Sequence, residues 1–220
     1  MLLCKWIRLQ VSEPDATALE FMQGKCRGLY NWWVMRLRDG EHWPGWTEAK
    51  ATLQASKDHD PELRFVYSKL LQEVYFRLDN AMQAFFRRAK AGGDEKPWFP
   101  RVRSRHAFFT LCYPAMYVKM DGDHLILPTG GGGKTGMAKL FPNIITRLTE
   151  SAPTTYREVA VSRDARGHYY ASFVAEVPEA SHRDGGEVVA FDLGIKTLAT
   201  GANEQGRIYH IGGFKGHQWY

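Results

Sequence analysis

Cysteine is scarce in this sequence: three residues in 220, at positions 4, 26 and 112, too few and too far apart for a disulfide framework or a zinc pattern. They are expected to be buried free thiols in a reducing compartment. No His-x-x-x-His or Cys-x-x-Cys pair occurs, so no zinc site is expected from spacing, and no Ser, His and Asp grouping carries a nucleophile signature. Long apolar runs are also missing. No stretch of eighteen apolar residues could span a bilayer, and residues 1–6 lack both a signal core and a small-residue cleavage site. A cytoplasmic protein with no membrane partner is the expectation. Neither an internal repeat nor a long low-complexity tract is present. The glycine run at residues 129–135 falls short of a phosphate-binding loop, because Pro128 stands where that motif needs its first glycine. A glycine loop between strands accounts for it, with Lys134 and Lys139 still able to touch phosphate.

What the chain does have is a hydrophobic fraction of 44%, enough for real cores in one large domain or two to three small ones. It also has local charge. Residues 87–105 hold Arg87, Arg88, Lys90, Lys96, Arg101, Arg103 and Arg105 against Asp94 and Glu95, an excess of five that equals the net charge of the whole chain. Together with Trp98, Phe99, Phe108 and Phe109, this concentration suits phosphates met with stackable bases. A solvated surface loop is the alternative reading.

Residues 2–11 alternate as a strand does. Ser12-Glu13-Pro14-Asp15 then supplies a cap, a first-turn proline and an acid, and Leu19, Met22, Cys26, Leu29, Tyr30, Trp33 and Leu37 recur at helical spacing until Asp39-Gly40. A linker with Pro44 and Gly45 leads to a short helix near Thr47, and Asp60-Pro61 is expected to open a second long helix. Its buried stripe is Leu71, Val74, Tyr75, Leu78, Met82 and Phe85. Lys69, Gln72, Phe76, Asn80, Gln83 and Arg87 fall on another face, which offers amides and an aromatic ring between cations, the groups that read base edges and backbones. An ordinary mixed solvent face fits equally. Beyond residue 97 strands are expected at 107–113, 117–120, 124–127, 155–163 and 168–177, with turns at 121–123 and 164–167. They suggest a small barrel completed by the first strand and interrupted by the helices. Residues 181–186 read as a polar linker, and 187–193, 197–201 and 207–211 as a three-strand meander whose second turn is at 203–206.

The first strand of that meander carries Asp192 among Val188, Val189, Ala190, Phe191 and Leu193, with Gly194 two positions on. Aspartate is disfavoured inside a strand, so it needs a compensating role. A carboxylate fixed mid-strand beside a glycine that admits a nucleic-acid backbone is how a metal-dependent phosphoryl-transfer site of the ribonuclease-H type begins. Such a site needs several carboxylates. After Asp192 the sequence holds one further acid, Glu204, in the expected turn.

Several segments in order now resemble one family. They are Cys26-Arg27-Gly28-Leu29-Tyr30-Asn31, residues 78–86 (Leu78-Asp79-Asn80 to Phe86), Pro97-Trp98-Phe99-Pro100-Arg101-Val102-Arg103, the hairpin around Asp164, and Phe191-Asp192-Leu193-Gly194-Ile195-Lys196-Thr197. The chain resembles the N-terminal part of TnpB-type proteins, transposon-encoded RNA-guided DNA endonucleases related to type V CRISPR effectors. The resemblance implies an α+β fold. Residues 1–12 and 96–180 would form a wedge-type β-barrel, 13–95 a helical recognition insert, and 187–220 the start of a RuvC-like, RNase H-like nuclease domain. It implies a guide RNA and a target double-stranded DNA as partners, with no small-molecule substrate. Lys69 and Gln72 match DNA-facing positions of the family, and Trp46, Lys50 and Thr110 match further ones. Arg87, Arg101, Arg103 and Arg105 are the expected phosphate contacts, and Asp192 matches the first acidic ligand for Mg²⁺. The family continues with a second catalytic Glu, a four-cysteine zinc ribbon and a final Asp, none of which follows Asp192 here. These 220 residues alone are therefore expected to bind without cutting. A nuclease-dead nucleic-acid-binding regulator is one alternative; an actin- or sugar-kinase-like ATPase fragment, whose site also begins with Asp-x-Gly after a strand, is another.

Overall fold

The computed structural model describes residues 2–92, 97–131, 139–176, 189–193 and 199–211. The chain divides into two compact units, one through Val177 and one from Pro178 onward.

The first unit is a seven-stranded antiparallel sheet with a helical excursion between its first and second strands. The strands are β1 (Leu2–Gln10), β2 (Leu111–Pro114), β3 (Lys119–Asp121), β4 (His124–Leu127), β5 (Ile144–Leu148), β6 (Glu158–Arg163) and β7 (Tyr169–Glu176), in the order β2-β6-β7-β1-β5-β4-β3. β1 lies in the middle and makes the sheet curl. Its residues 2–8 pair with β7 (Cys4 opposite Val174, Arg8 opposite Tyr170), while Leu9 and Gln10 turn to pair with Leu148 and Arg147 of β5. The inward side is apolar and alternates as a half-buried sheet must: Ile7, Leu9, Leu111, Tyr113, Leu125, Leu127, Ile144, Val159, Val161 and Phe173 are all buried.

Between β1 and β2 run α1 (Glu13–Arg38), α2 (Trp46–Ala51), α3 (Leu53–His59), a 3₁₀ turn (Pro61–Phe65) and α4 (Ser68–Ala91). Ser12 caps α1 as its position suggests, its hydroxyl accepting from the Asp15 amide at 3.3 Å. The expected stripe of α1 is buried against Leu70, Leu71, Val74, Tyr75, Leu78 and Met82 of α4, and Trp33 meets Trp43 edge-on at 5.3 Å. Asp79 is buried in this helical core, accepting from the Trp43 indole at 2.8 Å and from Gln83 at 2.5 Å. Phe85 is half-buried rather than part of the core and packs on Phe99.

Asp60-Pro61 opens the 3₁₀ turn, not the long helix. The Asp60 carboxylate caps the Glu62 amide, but the Phe65 carbonyl is then taken by the Gly130 amide at 3.0 Å, so the chain stays extended at Val66 and α4 starts at Ser68. Gly130 comes so close that a Cβ there would lie 2.2 Å from the Phe65 carbonyl carbon. Part of the glycine run thus serves backbone contact; residues 132–138, including Lys134, lie outside the described residues. The Asp164 turn joins β6 to β7 with its carboxylate accepting from the amides of Arg166 (2.9 Å) and His168 (2.8 Å).

The second unit contains β8 (Val189–Leu193), β9 (Ala199–Asn203) and β10 (Ile208–Ile211), an antiparallel meander in the order β10-β9-β8. Asn203 closes its second turn, the side-chain oxygen accepting from the Gln205 (3.1 Å) and Arg207 (2.6 Å) amides. The expected linker at 181–186 and Gly194 of the Asp-x-Gly pair lie outside the described residues.

Among the described residues no helix is long and apolar enough to cross a membrane. Cys26 and Cys112 are buried, but Cys4 is exposed, because the first half of β1 turns both its faces outward (Leu3 48% and Trp6 63% exposed).

Candidate nucleic-acid interface

Residues 97–110 form neither helix nor strand, yet their backbone is held along its length. The holding groups sit on one flank of α1, where Glu20, Gln23, Arg27, Asn31 and Arg38 recur at helical spacing beside the buried stripe. Arg38 donates to the Pro100 carbonyl at 3.3 Å. Asn31 grips Arg103 at both backbone groups, donating to its carbonyl at 2.9 Å and accepting from its amide at 2.7 Å. Arg27 donates to the carbonyls of Arg105 (3.3 Å) and Ala107 (3.4 Å), and the Gln23 side-chain oxygen accepts from the Phe109 amide at 3.1 Å. From α4, Arg77 donates to the Thr110 carbonyl at 2.7 Å. The strand expected from residue 107 therefore begins only at Leu111: helix side chains have taken the backbone groups a neighbouring strand would have used. Glu20 ties the flank to the sheet through Arg163 and the Tyr169 hydroxyl (2.8 Å). Burial, and then Glu20, push the Tyr169 phenol up to about 12.

Between these anchor points the side chains of residues 101–107 face solvent, while Pro100 and Phe109 are buried. Arg101, Arg103 and Arg105 are exposed, as are Arg87, Arg88 and Lys90 at the end of α4. None of the six makes an ion pair among the described residues, whereas Lys25, Arg36, Arg64, Arg147, Arg157 and Arg163 each meet a carboxylate. The Arg101 guanidinium sits 4.1 Å from the centre of the Trp98 ring and that of Arg103 5.5 Å from Tyr30. Asp94, Glu95 and Lys96 lie outside the described residues.

On α4, Lys69, Gln72, Phe76, Asn80, Gln83 and Arg87 share a face by helical spacing. Lys69 donates to the Gln72 side-chain oxygen at 3.3 Å and stands 5.4 Å over the Tyr117 ring. Trp46 meets Phe76 edge-on at 6.1 Å, and the Lys50 ammonium lies over the Trp46 ring, 5.0 Å from its centre. Trp46 and Lys50 are thus joined to Phe76, one turn along from Gln72. Thr110 lies further along, beside Arg77 and Asn80.

In the second unit Asp192 is exposed on β8 and pairs across to Thr200, which in turn pairs to His210 on β10 with Oγ1 and Nδ1 3.5 Å apart. These three share a sheet face with Ala190, Ala202 and Ile208, all of them exposed. Phe191 covers the other face, its ring over Gly201, where a Cβ would meet it at 2.5 Å. Among the described residues no three His, Cys, Asp or Glu side chains gather to hold a metal ion. One carboxylate on an open face fits a single ligand of a Mg²⁺ site and no more; two-ion chemistry needs bridging carboxylates these residues do not supply.

The chain as a whole has a counterpart of similar fold among solved structures. Its fold resembles that of a CRISPR-Cas12f chain. In a cryo-EM structure of a CRISPR-Cas12f ternary complex, one chain matches with a TM-score of 0.51 over 88% of this chain, at 11% identity. The present chain spans 47% of that one. No family model matches, and no curated protein does. At such identity the likeness is one of fold, a mixed helix-and-strand architecture.

Gln23, Arg27, Asn31, Arg77 and Asp79 were not among the residues the sequence singled out for a site. A signal existed for the first three: a polar row at helical spacing on the flank of an otherwise apolar helix, with Arg27 and Asn31 inside one of the family-like segments.

Proposed function

We propose that this chain is the guide-RNA- and target-DNA-binding part of an RNA-guided, TnpB-like DNA endonuclease. In this reading residues 1–12 and 96–180 are a wedge-type barrel, 13–95 a helical recognition insert and 187–220 the opening of a RuvC-like domain. The observation that carries it is the strap with the adjoining end of α4: Arg101, Arg103 and Arg105 on a backbone held by the helical insert and Arg87, Arg88 and Lys90 on the helix are exposed, flanked by aromatic rings, and meet no carboxylate among the described residues. Unpaired cations at a surface are what phosphates replace counterions around, and ordering them beforehand lowers the entropy lost on binding. Lys69 and Gln72, with Trp46, Lys50 and Thr110 nearby, are the groups proposed to read the DNA beside the target. Asp192 is proposed as one Mg²⁺ ligand of the nuclease site. Binding, not hydrolysis, is the activity assigned to these 220 residues.

The test is a gel-shift titration of structured RNA in increasing salt. Replacing Arg101, Arg103 and Arg105 by Gln should lower affinity and reduce the slope of log K against log[salt] by about 0.7–0.9 per lost contact, the lower figure for unpaired and the higher for duplex parts of the RNA. An unchanged slope removes the strap from the interface, and ATP binding without RNA binding would favour the kinase-like alternative. Gln72→Ala should relax discrimination at one DNA position by about 1–3 kcal/mol; uniform weakening over all sequences would make Gln72 a backbone contact.

A further inference from the structure

Between α1, α4 and the strap lies a pocket of about 400 Å³. Tyr30, Phe108 and Phe109 line it, with the Tyr30 and Phe109 rings 5.9 Å apart. Arg77 also lines it, but its guanidinium is already committed to the Thr110 carbonyl, the Cys112 sulfur and Glu73. Three other polar groups in the lining are not. The Asn80 carboxamide, the Thr110 hydroxyl and the Arg103 guanidinium make no hydrogen bond among the described residues, and the Asn31 grip on its backbone holds Arg103 in place at the pocket.

The chemistry of a fitting occupant follows from this lining. Among the described residues no carboxylate lines the pocket, so nothing there would neutralise an amine, whereas the Arg103 guanidinium, which meets no carboxylate and lies 5.5 Å from the centre of the Tyr30 ring, favours an anion. Ring walls favour a flat π-face. A carboxamide presents a donor and an acceptor side by side, the pattern that matches a base edge. The volume is at the small end of the range for small-ligand pockets, about 300–1,000 Å³, which suits a single nucleotide and excludes a duplex. We propose that the pocket takes one unstacked nucleobase of the nucleic acid bound along the strap. Asn80 and Thr110 meet the base edge and Arg103 meets the adjoining phosphate. The proposal rests on the nucleic-acid reading above and adds to it a base-binding site that phosphate contacts alone do not require.

The probes are two labelled single strands of equal length, an oligodeoxyadenylate and the same backbone with abasic tetrahydrofuran sites, measured by fluorescence anisotropy. The unaltered chain should bind the base-bearing strand roughly ten-fold more tightly, the scale of one stacked base. Ala81→Leu fills the pocket without changing charge and with only a small loss of helix propensity. It should abolish that preference while leaving affinity for the abasic strand and the salt slope as they were. Asn80→Ala, at an exposed position where folding is not at risk, should lose several-fold affinity for the base-bearing strand only. A full preference retained by Ala81→Leu and Asn80→Ala overturns the pocket assignment while the nucleic-acid reading stands. Failure of the unaltered chain to bind either strand overturns both.

Discussion

Asn31→Ala isolates the contribution of strap ordering. The substitution removes two side-chain-to-backbone hydrogen bonds to Arg103, at 2.9 and 2.7 Å, and leaves the weaker ones at 3.3–3.4 Å from Arg38 and Arg27. Each such bond contributes about 0.5–1.5 kcal/mol net, and at this exposed site the lower half of the range applies, so the loss is about 1–2 kcal/mol. That corresponds to a roughly 5- to 30-fold larger population of detached strap. Hydrogen–deuterium exchange read by mass spectrometry over peptides containing residues 100–108 should show the Arg103 amide accelerating by that factor, with the core strands β6 and β7 unchanged. Asn31→Asp keeps the acceptor for the Arg103 amide and loses only the donor, so protection should largely survive. Its added negative charge beside Arg103 should nevertheless weaken RNA binding, separating order from charge. Unchanged exchange at Arg103 in Asn31→Ala would refute the claim that α1 holds the strap.

Two further outcomes are expected. Gly130→Ala puts a methyl group against the Phe65–Val66 backbone, where nothing flexible can yield; a cost of about 1–3 kcal/mol and a melting temperature lower by several degrees are expected, and an unaltered melt would refute the close contact. Burial pushes the Cys26 and Cys112 thiols up to about 12, so they keep their protons as pH rises from about 7 to about 9. Alkylation of the native protein across that range should label Cys4 alone, with the other two reacting after denaturation; native labelling of three thiols would contradict the packing.

Much of the architecture could be read locally because its causes are local. The Ser12 cap, the apolar period of α1, the Asp164 turn and the Asn203 turn each depend on residues a few positions apart. The strap could not, since residues 107–110 look like a strand by composition and fail to be one only because Gln23, Arg27 and Arg77 claim their backbone from far along the chain. The start of α4 was misplaced for the same reason: Asp60-Pro61 is a sound local signal, and the Gly130 amide is what interrupts the helix behind it. Cys4 was expected inside because cysteine usually is, but an outward half of β1 exposes it. For the candidate site, the exposed cations and the α4 face were visible as charge and spacing. The groups that order them were not, because a polar side chain bonded to a distant carbonyl looks, in sequence, like one bonded to water.

The placement of β1 at the centre of the first sheet bears on how the molecule is made. Residues 2–10 leave the ribosome before any of their partners exist and cannot pair until β5 and then β7 follow. At synthesis rates of about 5–20 residues per second that delay is on the order of ten seconds, during which a strand bearing Leu2, Leu3 and Trp6 has no mate. The helices in between can pack on one another meanwhile, so closure around the nascent strand is the late and slow event of biogenesis.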